Sequence, residues 1–158
     1  MSAIRPGAAR RIVSSSPEAT RALAAALAQS ARAGDLIALH GDLGAGKTEF
    51  AKGFGAGLGV TVTINSPSYV LMTEYLGRLP LFHVDLYRLE DDFDGLAAGL
   101  LDERQAAGVS LVEWAERLGS SLPRERLDVV IDGSGDEPRT IELVATAPDL
   151  ERYLGAVG

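Results

Sequence analysis

The stretch from Gly41 to Thr48 constrains this chain more than any other part of it. Its letters, Gly-Asp-Leu-Gly-Ala-Gly-Lys-Thr, match the P-loop pattern G-x-x-x-x-G-K-[ST] at every fixed position. Glycines let the backbone turn its N–H groups inward around an anion, lysine brings a positive charge to the β- and γ-phosphates, and threonine offers a hydroxyl to Mg²⁺. The pattern predicts a site for a nucleoside triphosphate with its metal ion.

The flanks of this stretch have the composition that a P-loop needs. Leu36–Leu39 is a short apolar run typical of a buried strand, and residues 48–58 can continue as a helix that Gly59 ends. Such a helix points the positive end of its dipole at the phosphates. Its glycines lower helix propensity, so packing or a ligand must compensate. The alternative interpretation is a glycine-rich turn that contains Lys-Thr by chance.

We expect the nucleotide to contact the whole loop and the residue that follows it. Lys47 is also a predicted catalytic residue, because its charge meets the phosphates that react. The predicted binding residues of this stretch are Gly41, Asp42, Leu43, Gly44, Ala45, Gly46, Lys47, Thr48 and Glu49.

Composition bounds the class of protein. The 158 residues are 46% hydrophobic and 23% charged, and we predict a single domain over residues 1–158, with a core from about 12 to 146 and short termini. The absence of cysteine excludes a disulfide framework, a thiolate metal site and a cysteine nucleophile. A net charge of −7 argues against a chain that grips nucleic acid by itself. The sequence has neither an apolar run of membrane-spanning length nor the apolar segment of a signal peptide, so we expect the cytoplasm.

The hydrophobic pattern predicts an α/β fold with a mixed central sheet flanked by helices. Ser16-Pro17-Glu18 has the order of a helix start, and the predicted helix continues to about Arg32. The tight turn at Gly77-Arg78 joins two apolar runs, which must therefore be antiparallel strands. Residues 60–64 alternate apolar and polar like a strand or an extended segment. Further strands are predicted at 11–14, 70–75, 79–85, 109–113, 127–132 and 140–145, with helical stretches at 91–101, at 114–118 and from 149 onwards.

Two carboxylates stand at the ends of apolar strands. Asp85 follows Leu-Phe-His-Val and Glu113 follows Val-Ser-Leu-Val. Ligands of α/β sheets gather at the carboxyl ends of parallel strands. If both strands run parallel to the P-loop strand, Asp85 reaches the Mg²⁺ and Glu113 lies near the attacking water. The alternative is that both acids are merely solvated at strand ends.

Three other features allow more than one interpretation. Ser66-Pro67-Ser68 has the hydroxyls of a switch loop that orders around a γ-phosphate, but the residues alone favour an ordinary Ser-Pro turn. Trp114, the single tryptophan, either stacks on the base or packs in the core. His83 and His40 are predicted to be satisfied structural histidines.

Taken together, these motifs resemble one family. The series is Gly41–Thr48, Asn65-Ser-Pro-Ser-Tyr69, Thr73-Glu-Tyr75, His83-Val-Asp-Leu-Tyr-Arg-Leu89 and Glu113-Trp114. Its order and spacing are similar to those of TsaE (formerly YjeE), the small bacterial ATPase of tRNA threonylcarbamoyladenosine synthesis. Many families share the P-loop, whereas its combination with His-x-Asp-x-Tyr-Arg and Glu-Trp is specific. The resemblance runs from about Ser14 to the final predicted hairpin, in which residues 133–138 connect the strands at 127–132 and 140–145.

The resemblance implies a P-loop α/β domain that binds ATP with Mg²⁺ and hydrolyses it weakly by itself. It implies association with the TsaD–TsaB complex, which attaches threonylcarbamoyl to N6 of adenosine 37 in tRNAs reading codons that begin with A. ATP turnover would support repeated cycles rather than activate the carbamoyl group, and the tRNA would be contacted mainly through the partners. The acidic net charge fits that division of labour.

The resemblance also assigns roles to residues outside the glycine-rich loop. Asp85 matches a magnesium position of the family, as Thr48 does within the loop. Glu113 matches the catalytic acid, and Trp114 matches an aromatic residue of the nucleotide site.

Two positions depart from the family. Ser66 and Ser68 match its switch-like Ser-Pro-Thr loop and are predicted to bind the nucleotide, although Ser68 replaces the usual threonine and keeps only its hydroxyl. Glu49 replaces a small hydroxyl residue beside the α-phosphate. Because a carboxylate there would repel the phosphate, Glu49 either points away or lowers nucleotide affinity.

Other functions stay open on the residues alone. A small-molecule kinase needs a lid and an arginine-rich acceptor site, for which the chain is short, and Arg88 is the only arginine embedded in a motif. A GTPase usually selects guanine with Asn-Lys-x-Asp, but Lys47 is committed to phosphate and Lys52 lies in Ala-Lys-Gly-Phe. A non-catalytic, nucleotide-dependent scaffold would use the same parts as a weak ATPase.

Overall fold

The computed structural model describes residues 8–42, 44–65, 72–87 and 106–157. The regular elements are accompanied by 3₁₀ segments, among them Ala115–Ser121 and Pro148–Ala156. The helices and strands are β1 (Ala8–Ser14), α1 (Pro17–Ala28), β2 (Leu36–His40), α2 (Lys47–Gly57), β3 (Met72–Leu76), β4 (Pro80–Asp85), β5 (Val109–Glu113), β6 (Leu127–Asp132) and β7 (Arg139–Ala145).

Within the described ranges the strands form one seven-stranded sheet in the order β1-β7-β6-β2-β5-β4-β3. The central strands β6, β2, β5 and β4 are parallel to one another. The outer pairs, β1 with β7, β7 with β6, and β3 with β4, are antiparallel. The predicted mixed sheet is confirmed, as are the antiparallel pair around Gly77 and the hairpin between β6 and β7.

Helix α1 begins where the sequence predicts and ends earlier. The side chain of Ser16 caps it by accepting a hydrogen bond of 3.0 Å from the backbone N–H of Ala19. After Ala28 the backbone N–H groups bond to carbonyls three residues back, which tightens the chain into a turn. The predicted continuation to Arg32 is therefore wrong by about one helical turn.

Other boundaries differ for local reasons. Residues 60–64 form no strand: Val60 donates its N–H to the carbonyl of Gly55, and Val62 is 62% exposed. The predicted helices after Glu113 and at the end of the chain are 3₁₀ segments. The helix predicted over 91–101 lies outside the described residues.

The two faces of the sheet carry separate apolar clusters. Helices α1 and α2 cover one face, above the larger cluster, which includes Leu39, Phe50, Leu81 and Leu111. The opposite face carries a smaller cluster built around Ala38, Val84, Val112 and Leu118. In the part of the chain that the structure describes, no helix is long and apolar enough to cross a membrane.

A buried polar contact joins the end of the chain to the start of the P-loop strand. Asp35, just before β2, is 8% exposed. Its carboxylate accepts hydrogen bonds from the Tyr153 hydroxyl at 2.5 Å and the Arg32 backbone N–H at 2.9 Å, and it pairs with the Arg152 guanidinium. Burial raises the pKa of the Tyr153 hydroxyl well above its usual range. The C-terminal 3₁₀ segment is thereby fixed beneath β2.

The glycines of α2 allow the two helices to touch backbone to backbone. A Cβ atom at Gly53 would overlap the carbonyl oxygen of Arg21, and one at Gly57 would lie 2.5 Å from the carbonyl oxygen of Ala25. Close packing against α1 is the compensation that this glycine-rich helix needs.

We predict that Gly53→Ala destabilises the protein by about 1–3 kcal/mol, because the added methyl group forces α1 and α2 apart. In a solvated helix the same change would stabilise by about 1 kcal/mol, so the sign is diagnostic. Urea unfolding without nucleotide measures it. Gly155→Ala is the control, because its Cβ meets open space and should change stability little. A more stable Gly53→Ala protein would contradict the packing argument.

Candidate functional site

The parallel strands bring both predicted carboxylates to the P-loop. Asp85 is paired in register with Glu113 across β4 and β5, and Glu113 is paired with Leu39 of β2. All three strands end at one edge of the sheet, where β2 runs into the loop at Gly41. The sheet therefore places one acid from β5, the neighbour of β2, and one from β4, the next strand along, beside the glycine-rich turn.

Backbone geometry explains two glycines of the loop. A Cβ atom at Gly41 would lie 2.7 Å from the carbonyl oxygen of Ile131, so the loop can cross β6 only without a side chain there. Gly46 has a φ of 115°, which glycine tolerates, and it is the N-cap of α2. It makes no side-chain cap hydrogen bond, and the positive end of the α2 dipole faces this loop.

The loop and the strand ends enclose a pocket of about 350 Å³. This volume lies within the range of small-molecule sites, about 300–1,000 Å³. The lining residues are Gly44, Gly46, Lys47, Thr48, Glu49, Asp85, Tyr87, Glu113 and Trp114.

Lys47 is held inside this pocket and is only 6% exposed. Its ammonium donates a hydrogen bond to the carbonyl of Gly41 and lies 3.8 Å from the centroid of the Trp114 ring. Burial lowers the pKa of Lys47, although nearby carboxylates, that of Glu113 above all, oppose the shift. These contacts hold the ammonium of Lys47 beside the loop.

Trp114 has a strained backbone and two roles in packing. Its φ of 58° makes it the one non-glycine residue with positive φ in the described ranges, which is unusual for a bulky side chain. It packs against the smaller apolar cluster, and its ring also faces Lys47 and lies 5.1 Å from that of Tyr87. The prediction of core packing therefore describes one side of the Trp114 ring, and the ring also lies beside the ammonium of Lys47 in the pocket.

The two acids differ in their surroundings. Burial raises the pKa of Asp85, whose carboxylate accepts a hydrogen bond of 3.0 Å from the N–H of Tyr87. Glu113 is 3% exposed, and its Oε2 lies 2.5 Å from Nε2 of His83, which is fully buried. Nδ1 of His83 has no hydrogen-bond partner among the described residues. The prediction of a satisfied structural histidine therefore holds for Nε2 of His83 and is wrong for its Nδ1.

The carboxylate of Glu49 is turned into ion pairs. It pairs with the guanidinium of Arg21 on α1 and lies 3.7 Å from the ammonium of Lys52. Glu49 nevertheless lines the pocket, where neighbouring cations balance its charge, and a lowered nucleotide affinity stays a prediction.

A second pocket of about 350 Å³ lies on the other side of the loop. Arg139, the first residue of β7, lines this pocket and contacts the loop, since its guanidinium donates hydrogen bonds to the carbonyls of Ala45 at 2.9 Å and Gly44 at 3.3 Å. No spacing rule in the sequence points to Arg139. The pocket is lined by Ser14, Ser15, Ser16, Pro17, Thr20, Gly44, Ala45, Gly46, Glu49, Gly135, Asp136, Glu137 and Arg139.

The donor set at the first pocket fits Mg²⁺. Thr48 and Asp85 share the lining, and a site of one hydroxyl, one carboxylate and substrate phosphates is typical of this ion. The described residues contain no cluster of three or more acidic, histidine or cysteine side chains that could hold a metal alone. Leu43, Ser66 and Ser68, which were also predicted to bind nucleotide, lie outside the described residues.

The family model described as threonylcarbamoyl adenosine biosynthesis protein TsaE matches residues 14–141. This chain belongs to the TsaE family. A relative from Bacillus subtilis, named tRNA threonylcarbamoyladenosine biosynthesis protein TsaE, is 48% identical over 130 residues, covering 82% of this chain and 81% of the relative. A relative of the same name from Streptomyces coelicolor is 39% identical over 140 residues, covering 86% and 95%.

A solved structure agrees with the sequence match. The crystal structure of Bacillus subtilis YdiB superposes with a TM-score of 0.78 at 38% identity and covers 96% of this chain and 95% of its own. The predicted fold class, a P-loop-type α/β domain with a mixed sheet, and the predicted family are both confirmed.

In this member of the TsaE family, His40 anchors the start of the P-loop. Its Nε2 lies 2.8 Å from Asp128 on β6, and its Nδ1 lies 3.4 Å from Glu116 in the 3₁₀ segment after Trp114. The hydrogen bond with Asp128 is the main reason that the pKa of His40 is raised. The structural interpretation of His40 therefore agrees with the contacts it makes, since the imidazole bridges two elements that flank the loop.

We predict that His40 stabilises the fold at low pH and ceases to do so as pH rises. Its pKa is raised on folding, so its contribution is fully present below about pH 6.5, the unfolded value, and is lost as pH rises through the folded value. Urea unfolding of the intact protein and of His40→Gln across this range measures the difference. The two stability curves should converge at higher pH, and Asp128→Asn should remove most of the effect. A difference that grows with pH would contradict the assignment.

Proposed function

We propose that this chain binds ATP with Mg²⁺ at the P-loop and hydrolyses it in support of threonylcarbamoyladenosine formation in tRNA. The observation that carries the proposal is one pocket that gathers a P-loop lysine, its threonine and two strand-end carboxylates. These are the parts that phosphoryl transfer to water requires: a cradle, a metal position and a group that orients the nucleophile.

The phosphates would lie against the first turn of α2. Lys47 would exchange its contacts with the Gly41 carbonyl and the Trp114 ring for phosphate oxygens. Thr48 and Asp85 would hold Mg²⁺, which when bound neutralises charge on the β- and γ-phosphates. Lys47 therefore serves in binding and in stabilising charge as the bond to the leaving group breaks.

Glu113 would act on the water. Its carboxylate lines the phosphate pocket and is nearly buried, so it can accept a proton or orient a lone pair without competition from bulk solvent. Asp85, which is paired beside it, would be occupied by the metal ion. The two acids thus divide metal binding and water activation between them.

The base and ribose would take the second pocket. The ring of Trp114 contacts Lys47 and therefore lies near the proposed phosphate position. We accordingly propose that it does not stack on the base. The second pocket shares Gly44, Gly46 and Glu49 with the first and is lined by the turn between β1 and α1. A nucleotide can therefore lie across the loop with one end in each pocket.

Membership of the family supports the proposed cellular role. Relatives carry the name of tRNA threonylcarbamoyladenosine biosynthesis proteins, and we propose the same process for this chain, in the cytoplasm. We propose a TsaD–TsaB-type complex as its partner. A net charge of −7 supports contact with tRNA mainly through those partners.

We predict that Lys47→Ala limits tRNA modification to at most one cycle in a reconstituted mixture of the partner enzymes, whereas the intact chain sustains many. The loss of the ammonium weakens the phosphate contact on which ATP turnover depends. Incorporation of labelled threonine into tRNA over time measures the number of cycles.

Glu113→Gln is the matched variant in that assay, because it keeps the shape of the side chain and removes the charge. It should bind Mg-ATP normally and hydrolyse it about 100-fold more slowly or worse. Equal cycling by intact and Lys47→Ala proteins would show a scaffold whose P-loop does not drive the cycle. If no protein supports modification while ATP is hydrolysed, the tRNA role is wrong and phosphoryl transfer to small molecules becomes the next test.

We predict that Arg21 sustains ATP affinity by balancing Glu49. Arg21→Ala should weaken Mg-ATP binding about fivefold, equivalent to about 1 kcal/mol, because the carboxylate then faces the phosphates with less compensation. Isothermal titration of four proteins completes the cycle: intact, Arg21→Ala, Glu49→Ser and the double variant. In the Glu49→Ser background the arginine should matter little. An equal loss in both backgrounds would show that Arg21 acts independently of Glu49.

A further inference from the structure

The carboxylate of Glu113 contacts a buried histidine in the interior of the protein. Oε2 of Glu113 lies 2.5 Å from Nε2 of His83, and the two side chains are 3% and 0% exposed. His83 does not appear in the lining of either pocket. The contact therefore lies behind the carboxylate, on the side away from the phosphates.

Strand geometry fixes this contact. His83 and Asp85 are two residues apart on β4, so they share a face of the sheet, and His83 is paired with Leu111, two residues before Glu113 on β5. The imidazole of His83 thus lies two residues before the strand end, diagonally across from Glu113 on the neighbouring strand. Parallel register, and not a flexible loop, sets the distance between them.

Packing alone does not explain a histidine at this position. Its neighbours in the sheet on this face include the buried apolar residues Leu81 and Leu111. Nδ1 has no hydrogen-bond partner among the described residues, and a buried polar atom without a partner destabilises a fold. An apolar side chain of similar size would avoid that cost, so the imidazole must contribute something through Nε2.

We propose that His83 is a positioning residue for ATP hydrolysis: its Nε2–H donates to Oε2 of Glu113 and holds the carboxylate in the orientation that presents Oε1 to the attacking water. The proposal rests on the proposed function, in which Glu113 acts on that water. The hydrogen-bond pattern assigns the proton to Nε2, because a carboxylate accepts and an N–H on Nδ1 would be buried without an acceptor.

This role separates two quantities that a general weakening of the fold would change together. A misoriented carboxylate slows the chemical step, because water is no longer held at the angle of attack. It leaves the phosphate cradle and the metal position untouched, so nucleotide affinity stays the same. His83 should therefore affect the rate constant of hydrolysis and not the dissociation constant of Mg-ATP.

The test compares His83→Leu with His83→Gln in single-turnover hydrolysis, with full-length protein in excess over Mg-ATP. Leucine fills the space without a donor, whereas the amide nitrogen of glutamine can take the place of Nε2. We expect His83→Leu to slow hydrolysis by about tenfold or more, as is usual when a group that orients a functional side chain is lost. We expect His83→Gln to recover most of the rate, with an unchanged dissociation constant for both.

Leu81→Ala controls for stability, because it opens a cavity on the same strand and face without removing a donor to Glu113. A loss of rate in Leu81→Ala equal to that in His83→Leu, or no recovery with glutamine, would overturn the positioning role. Glu113→Gln separates the two hypotheses. Slow hydrolysis by Glu113→Gln with a normal rate in His83→Leu overturns this inference alone, whereas a normal rate in Glu113→Gln overturns the proposed function with it.

Discussion

The parallel pairing of β2, β5 and β4 is the constraint on which the candidate site depends. It sets Leu39, Glu113 and Asp85 side by side at one edge of the sheet, directly beside the loop that leaves β2. Side chains alternate along a strand, so a slip of one residue would turn an acid to the opposite face. The apolar clusters on both faces oppose such a slip, since it would also bring apolar side chains to the wrong side.

Local sequence motifs predicted the parts of this site that depend only on residues close together in the sequence. The loop Gly41–Thr48 matches a fixed sequence motif. A strand-end acid such as Glu113 is recognised because it directly follows an apolar run of strand length. Contacts between elements could not be predicted, because the contact of His83 with Glu113 depends on the register of β4 and β5. The left-handed backbone of Trp114 also has no signal in the sequence. Residues 60–64 show the reverse case, an alternating pattern whose backbone finds no neighbouring strand.

Acids surround a pocket that we assign to a polyanion, and each acid has a partner. Glu49 pairs with Arg21, Glu113 is bonded to His83, and Asp85 accepts a backbone N–H. The partners come from different elements, α1, β4 and the chain just after β4. Each carboxylate is thus held in one orientation beside the proposed phosphate site, which a site of solvated carboxylates could not achieve.

The strand order has a consequence for synthesis of the chain. The P-loop strand β2 has β5 and β6 as its neighbours, and both are made later, as is Tyr153, whose hydroxyl bonds to Asp35 at the start of β2. A ribosome that has released the P-loop has therefore released neither of the strands that flank it. The P-loop motif is therefore synthesised before the strands that hold it in place, and the proposed nucleotide site can form only after β6 has been made.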